Sequence, residues 1–98
     1  LVLLAFIYYF YKNLRNISAT SSINNLMKDK NYDWLHLDVE GIDGDLILSL
    51  EQRPNVIVYE SMNLPQEMVD KLDEWFSINQ YITITDNGNT IAKKYEKF

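Results

Sequence analysis

Three acidic side chains stand where apolar, β-type segments end, and these residues are the best placed to do chemistry. Asp38 and Glu40 close the run 33–41, DWLHLDVEG, and Glu60 closes the run 56–60, VIVYE. A carboxylate at a strand end can take a proton from a substrate hydroxyl or orient that hydroxyl. Two or three carboxylates together can instead hold a divalent cation. The residue types alone leave both roles open.

We predict that Asp38 and Glu40 are catalytic and that Glu60 and His36 bind substrate. Asp38 is expected nearest the reacting centre, and Glu40 is expected to orient substrate or to support the structure. Acidic residues at strand ends also cap the backbone amides of a neighbouring helix, so capping stays an alternative for Glu40 and Glu60. For His36, in mid-strand, and for Trp34 beside it, the alternative is a place in the core.

A second acidic pattern, Asp43-Gly44-Asp45, has the D-x-D form that holds a metal in sugar-nucleotide glycosyltransferases. Both acids fall in the first turn of a predicted helix, where the helix dipole favours negative charge. The chain also has one histidine and no cysteine, which excludes thiolate and His-rich metal motifs. We therefore assign no metal ligands, and a divalent cation at the strand-end carboxylates stays an open alternative.

The elements that must position these residues follow from hydrophobic periodicity and turn signals. The segments predict a helix at 22–30, a strand at 33–39, a helix at 42–51, a strand at 56–60, a helix at 65–78, and strands at 81–85 and 90–96. Strand 33–39 has little polar character before Asp38, so we expect both of its faces to be covered, as inside a parallel sheet. Asn87-Gly88 between the last two strands predicts a hairpin. The predicted fold is an α/β sheet of parallel strands that ends in an antiparallel hairpin.

The composition bounds the class of protein. The 98 residues suffice for one small domain, and the 47% hydrophobic and 23% charged residues are typical of globular proteins. A net charge of −5 argues against nucleic acid as a partner, because such binders need a basic face.

The first 16 residues form a separate apolar segment in our interpretation. Residues 1–11, LVLLAFIYYFY, are apolar or aromatic and are followed by Lys12 and Arg15. This run is shorter than the roughly 20 residues that span a bilayer. It could be the end of a membrane helix, a buried helix or strand of a larger domain, or a wrongly joined reading frame. As a helix or a substitute strand, it could also cover a sheet edge exposed by truncation. The chain begins at Leu1, so we expect it to be a fragment.

From about residue 17 onward, the chain resembles the C-terminal half of the FkbM family of S-adenosylmethionine-dependent methyltransferases. The segments that carry the resemblance are INNLM (23–27), DWLHLDVEG (33–41), VIVYES (56–61), the Trp-containing helix after them, and YITITDNGNTIA (81–92). The Asp-Val-Glu-Gly core is the most specific of them. Residues 17–98 are therefore predicted to be a partial FkbM-type methyltransferase domain.

The resemblance implies the C-terminal half of a Rossmann-like class I methyltransferase sheet, which has seven strands with the last one antiparallel. It implies transfer of a methyl group from S-adenosylmethionine to a hydroxyl of a sugar or another small molecule. Such folds bind their ligands at the carboxyl ends of the parallel strands, where Asp38 and Glu60 are predicted to lie. The expected location is the cytoplasm, with membrane association through residues 1–16 as an alternative.

This chain also departs from the family. The glycine-rich cofactor loop after the first strand and the acidic ribose ligand after the second are not in it, so no cofactor-binding residue is assigned. We expect a methyltransferase parent and an inactive isolated fragment. The alternatives are a non-catalytic α/β interaction module tethered to a membrane by its N-terminal segment, and a different α/β transferase.

Overall fold

The computed structural model describes residues 2–5, 23–25, 27–28, 31–38 and 42–95. Within these ranges the elements are β1 (Val2–Ala5), β2 (Trp34–Leu37), α1 (Asp43–Leu48), β3 (Val56–Glu60), α2 (Gln66–Ile78), β4 (Tyr81–Asp86) and β5 (Asn89–Lys94). Residues 23–25 and 27 are also helical.

The strands form one mixed sheet in the order β1-β2-β3-β5-β4. The first three strands are parallel, and β5 is antiparallel to both of its neighbours. Strand β4 consequently runs in the same direction as β1, β2 and β3, and the last strand of the chain is the only antiparallel one among those described. The predicted parallel strands and terminal hairpin are confirmed, and β2 lies in the sheet interior as predicted.

The predicted elements agree with the observed ones to within a few residues at their ends, and β3 agrees at both ends. Val2–Ala5 forms a strand, which corresponds to the substitute-strand alternative and not to a helix. The rest of the segment 1–16 lies outside the described residues. None of the helices in the described ranges is long and apolar enough to cross a membrane.

The hairpin between β4 and β5 turns through two residues. Asn87 and Gly88 both have positive φ, at 52° and 82°, which is the geometry of the type I′ turn that Asn-Gly favours. The carbonyl of Gly88 accepts backbone hydrogen bonds from Ser61 (2.9 Å) and Met62 (3.0 Å). The turn is thereby joined to the residues that follow β3.

One face of the sheet is covered by α1, α2 and the helical residues 23–25 and 27. When a connection between parallel strands is right-handed, the direction in which it moves across the sheet decides which face its helix covers. The connections from β1 to β2, from β2 to β3 and from β3 to β4 all move toward the β4 edge. The helices therefore share one face. The buried hydrophobic core beneath them consists of Ile23, Met27, Leu35, Leu37, Leu46, Ile47, Leu50, Ile57, Tyr59, Leu72, Phe76, Tyr81 and Ala92.

The two helices approach each other closely at Gly44. A Cβ atom added there would lie 2.5 Å from Sδ of Met68, which is far inside van der Waals contact. Gly44 is buried, so the absence of a side chain lets α1 and α2 pack together above the sheet.

The opposite face, which we call the open face, is exposed. Its apolar members include Trp34 (41% exposed), Ile91 (48%) and Ile84 (68%). His36 is also exposed. The prediction that both faces of 33–39 are covered is therefore wrong, and so are the core alternatives for Trp34 and His36. The physical reason is that strand periodicity shows which residues share a face, while the path of the crossovers decides which face is covered.

Candidate functional site

Two of the predicted site residues meet at the carboxyl ends of neighbouring parallel strands. Asp38 directly follows β2, and Glu60 is the last residue of β3. The register pairs Trp34 with Val56 and His36 with Val58. Asp38 and Glu60 each come two residues after the last of these pairs, so both share the open face by strand alternation. Paired strands lie about 4.8 Å apart. The sheet thus brings these two carboxylates to one edge, with Asp38 exposed and Glu60 half-buried.

The other two predicted residues differ in what the structure describes. His36 lies on the open face two residues before Asp38, and both side chains are exposed to solvent. Glu40 lies outside the described residues. Among the described residues, no group of three or more histidine or acidic side chains is placed to hold a metal ion.

Asp43 is the third described acidic residue near this edge, and it lies on the covered side. Its side chain is 1% exposed, and its Oδ2 accepts a hydrogen bond from the backbone N–H of Glu60 at 3.1 Å. Asp45, the other acid of the D-x-D pattern, is exposed. The sequence places Asp43 in the first turn of a helix, as observed, but its contact with β3 depends on the packing of α1 against the sheet. Asp43 therefore helps to fix the backbone that carries Glu60.

A cavity of about 170 Å³ lies under the same edge, between α2 and the sheet. Its floor includes the buried residues Tyr59, Leu72 and Thr90, while Asp73 and Thr85 at its rim are exposed. Glu60 does not line it. The cavity opens on the covered side of the sheet and the pair Asp38–Glu60 lies on the open side, so the two are separate features.

Four hydroxyl groups in this cavity form a cluster around Thr90, which we call the hydroxyl cluster (Tyr59, Ser61, Thr85 and Thr90). The Oγ1 atom of Thr90 lies 2.7 Å from Oγ of Ser61 and 2.7 Å from Oγ1 of Thr85. The Thr90 side chain is also placed to donate a hydrogen bond to the Tyr59 oxygen. Ser61 Oγ donates a long hydrogen bond of 3.4 Å to the Gly88 carbonyl. The cluster joins the ends of three strands.

Burial raises the pKa of the Tyr59 hydroxyl to about 12. The hydrogen bond from Thr90 lowers this pKa, whereas the nearby carboxylates of Asp73 and Asp43 raise it. The phenol therefore keeps its proton at neutral pH, and the hydroxyl cluster carries no charge of its own.

Sequence reasoning missed the hydroxyl cluster, although part of its signal was present. A two-residue Asn-Gly turn sets the register of the hairpin, and that register places Thr85 opposite Thr90. Nothing in the local sequence indicates that Ser61 would contact Thr90 or that Asp73 would line the same cavity, because both depend on how α2 and β3 pack.

The arrangement thus offers two kinds of chemistry at one edge of the sheet. Asp38 and Glu60 can accept or orient protons on the open face, and the hydroxyl cluster with Asp73 can bind polar groups on the covered face. In comparisons with known proteins, no family model, no curated protein and no solved structure matches this chain.

Proposed function

We propose that this chain is part of an S-adenosylmethionine-dependent methyltransferase related to the FkbM family. Its acceptor would be a hydroxyl group of a sugar or another small molecule. The observation that carries the proposal is the placement of Asp38 and Glu60 at adjacent carboxyl ends of two parallel strands, on one face. Ligands of open α/β sheets bind at that end of the strands.

The strand directions also support the proposal. The last strand, β5, is antiparallel to both of its neighbours, while β1, β2, β3 and β4 share one direction. A sheet whose last strand alone is reversed is what the resemblance to class I methyltransferases implies. Asp38, the first residue of the DVEG segment, directly follows β2 at the carboxyl edge of the sheet.

The cavity beside α2 does not fit the cofactor. Pockets for ligands of drug size measure roughly 300–1,000 Å³, and the cavity beside α2 has only about 170 Å³. The glycine-rich loop of the family is also not in this chain. We therefore assign to these residues only the acceptor side of the reaction.

On that side, Asp38 would accept the proton that the acceptor hydroxyl loses, because it is an exposed carboxylate at the strand end. Glu60 would accept a hydrogen bond from the same or a neighbouring hydroxyl and so orient it. Asp43 would act as a positioning residue, since its carboxylate binds the backbone N–H of Glu60.

The proposal is tested in the full-length protein by methyl transfer from radiolabelled cofactor to candidate sugars. The variant Asp38→Asn should lower turnover by about 100-fold or more, the usual worth of a general base. Cofactor affinity, measured by calorimetry, should stay unchanged. The matched control is Asp45→Asn, which alters an exposed carboxylate of α1 and should leave turnover intact. Full turnover in Asp38→Asn would remove Asp38 from the mechanism, and absence of cofactor binding in the parent would reject the methyltransferase proposal.

The open face favours one alternative, a non-catalytic interaction module. Trp34, Ile84 and Ile91 expose apolar surface together, and contiguous apolar patches often mark sites of protein association. Val2–Ala5 is a strand paired with β2, so these four residues give no support to a membrane tether. A parent that binds no cofactor but loses a protein partner on Ile84→Lys would favour this function over methyl transfer.

A further inference from the structure

The cavity between α2 and the sheet has a lining that selects one kind of ligand. The side chains with polar atoms in this lining are Tyr59, Ser61, Asp73, Thr83, Thr85 and Thr90. All of these polar atoms are oxygens. Among the described residues that line the cavity there is no lysine, arginine or histidine, and the Asp73 carboxylate is the one charged group. An anionic ligand would therefore meet a negative charge and no cation.

The hydroxyl cluster adds acceptors to this lining. The bond between Thr90 and Ser61 and the bond between Thr90 and Thr85 each use one hydroxyl proton. Every hydroxyl oxygen carries two lone pairs. The cluster can therefore accept hydrogen bonds from a ligand in the cavity that Asp73 also lines.

The size of the cavity and its apolar wall limit the rest of the ligand. Leu64, Val69 and Leu72 line the cavity together with the ring of Tyr59. A dry cavity of about 150 Å³ in another protein admits benzene, so about 170 Å³ accommodates a single six-membered ring. A nucleotide would not fit.

We propose that this cavity binds the protonated amino group of a small organic amine whose apolar part is no larger than one six-membered ring. The ammonium group would donate to the Asp73 carboxylate and to free lone pairs of the hydroxyl cluster, since it has three protons and no acceptor. The apolar part would lie against Leu64, Val69 and Leu72. This site is independent of methyl transfer, because its residues lie on the covered side of the sheet and Asp38 lies on the other.

The test uses three probes that share a ring and differ in charge: benzylamine, benzyl alcohol and benzoate. Amide chemical shifts of the ¹⁵N-labelled chain are followed at pH 7, where an alkylamine is protonated. Benzylamine should shift the amides of Ser61, Asp73 and Thr85 with a Kd on the order of 1 mM. Benzyl alcohol should bind about tenfold more weakly, because it lacks the charge-assisted hydrogen bonds. Benzoate should not bind.

Two variants locate the binding. Asp73→Asn keeps the shape of an exposed side chain and should weaken benzylamine about tenfold, to the level of benzyl alcohol. Thr85→Val keeps the β-branched shape and removes one acceptor, and it should also weaken benzylamine. The matched control is Glu74→Gln, which alters the next carboxylate of α2 outside the cavity lining and should leave binding within about twofold.

Three results would overturn the proposal. Benzoate binding as tightly as benzylamine would show that the cavity does not distinguish a cationic ligand from an anionic one. Equal losses in Asp73→Asn and Glu74→Gln would show attraction to the acidic surface and not a site. Absence of amide shifts at about ten times the expected Kd would show that the cluster serves only to join the strands. Because no cofactor is present in these titrations, their failure is distinct from a failure of the methyltransferase proposal.

Discussion

The two faces of this sheet are built from the same strands but differ in almost every physical property. On the covered face, Leu35, Ile57 and Ala92 are fully buried under the helices. On the open face, their sequence neighbours Trp34, Val58 and Ile91 are half-buried or exposed. The residues alternate along each strand, so the apolar character of a strand is a poor guide to how much of it is buried.

The difference teaches that the connections decide burial in this fold. Strands β2 and β3 are apolar on both faces, as strands of a doubly covered parallel sheet are. In the part of the chain that the structure describes, helices cover one face, because the crossovers travel in one direction across the sheet. The open face is nevertheless rich in apolar side chains, as is a sheet face that packs against another layer.

The same comparison separates the chemistry. His36, Asp38 and Glu60 lie on the open face, where solvent reaches them. The hydroxyl cluster and Asp43 lie on the covered side. The carboxyl edge of the sheet therefore has the carboxylates of Asp38 and Glu60 on its open face and a partly enclosed, oxygen-lined cavity on its covered side.

Among substitutions that compare the two faces, Phe76→Ala is expected to lower the free energy of unfolding most. Phe76 is buried on the covered side, with its ring centroid 5.9 Å from that of Tyr59, 5.4 Å from Trp75 and 5.5 Å from Tyr81. Removing the ring should lower the free energy of unfolding by about 3–5 kcal/mol. Urea unfolding followed by tryptophan fluorescence measures this loss. The control on the open face is Ile84→Ala, and a similar loss there would contradict the difference between the faces.

A second expectation concerns alkaline pH. Burial raises the pKa of Tyr59 and of Tyr81 to about 12 from an ordinary value of 10.0, although Arg53 lowers that of Tyr81. Between these values the unfolded chain releases protons that the folded chain keeps. Stability should therefore be fully present below pH 10 and fall as pH rises toward 12, by on the order of 1–2 kcal/mol for each tyrosine.

The measurement for this expectation is urea unfolding at a series of pH values from 9 upward. Tyr81→Phe removes a hydroxyl that donates to the Pro54 carbonyl at 2.5 Å, and it should lower stability at neutral pH while making the alkaline loss smaller. If Tyr81→Phe and Tyr59→Phe both lose as much stability at alkaline pH as the unchanged chain does, neither hydroxyl is the source of the loss.

A third expectation concerns the buried carboxylate at the shared edge. Asp43→Ala leaves the backbone N–H of Glu60 without its acceptor and should cost about 1–3 kcal/mol of unfolding free energy. Asp45→Ala, in the same helical turn but exposed, should cost no more than about 0.5 kcal/mol. Faster hydrogen exchange of the Glu60 amide in Asp43→Ala alone would identify the lost bond, and equal costs for both variants would point to the helix dipole instead.

The smallest effect is expected on the open face. Ile84→Thr and Ile91→Thr keep β-branched side chains in their strands, so each should change the free energy of unfolding by no more than about 0.5 kcal/mol. Both substitutions should reduce the binding of a hydrophobic dye, because each makes the exposed apolar surface smaller. A loss of 2 kcal/mol or more would mean that this face is covered in solution, which size-exclusion chromatography would check as self-association.

The local order of this protein could be predicted because its signals are local. The period of apolar residues placed β3 at its observed ends, and Asn87-Gly88 specified the hairpin through their tolerance of positive φ. The carboxylates Asp38 and Glu60 were also identifiable, since each follows an apolar strand. Their common edge followed from the parallel direction of the two strands.

Tertiary structure alone decided which of these residues meet solvent and which meet each other. The burial of Asp43, the contact of Ser61 and Thr85 with Thr90, and the exposure of His36 all depend on where helices cross the sheet. Crossover direction is a property of the whole chain path, and no window of neighbouring residues contains it. The amino-acid sequence by itself therefore determined the elements and their order, while packing determined the faces, the cavity and the surroundings of every candidate group.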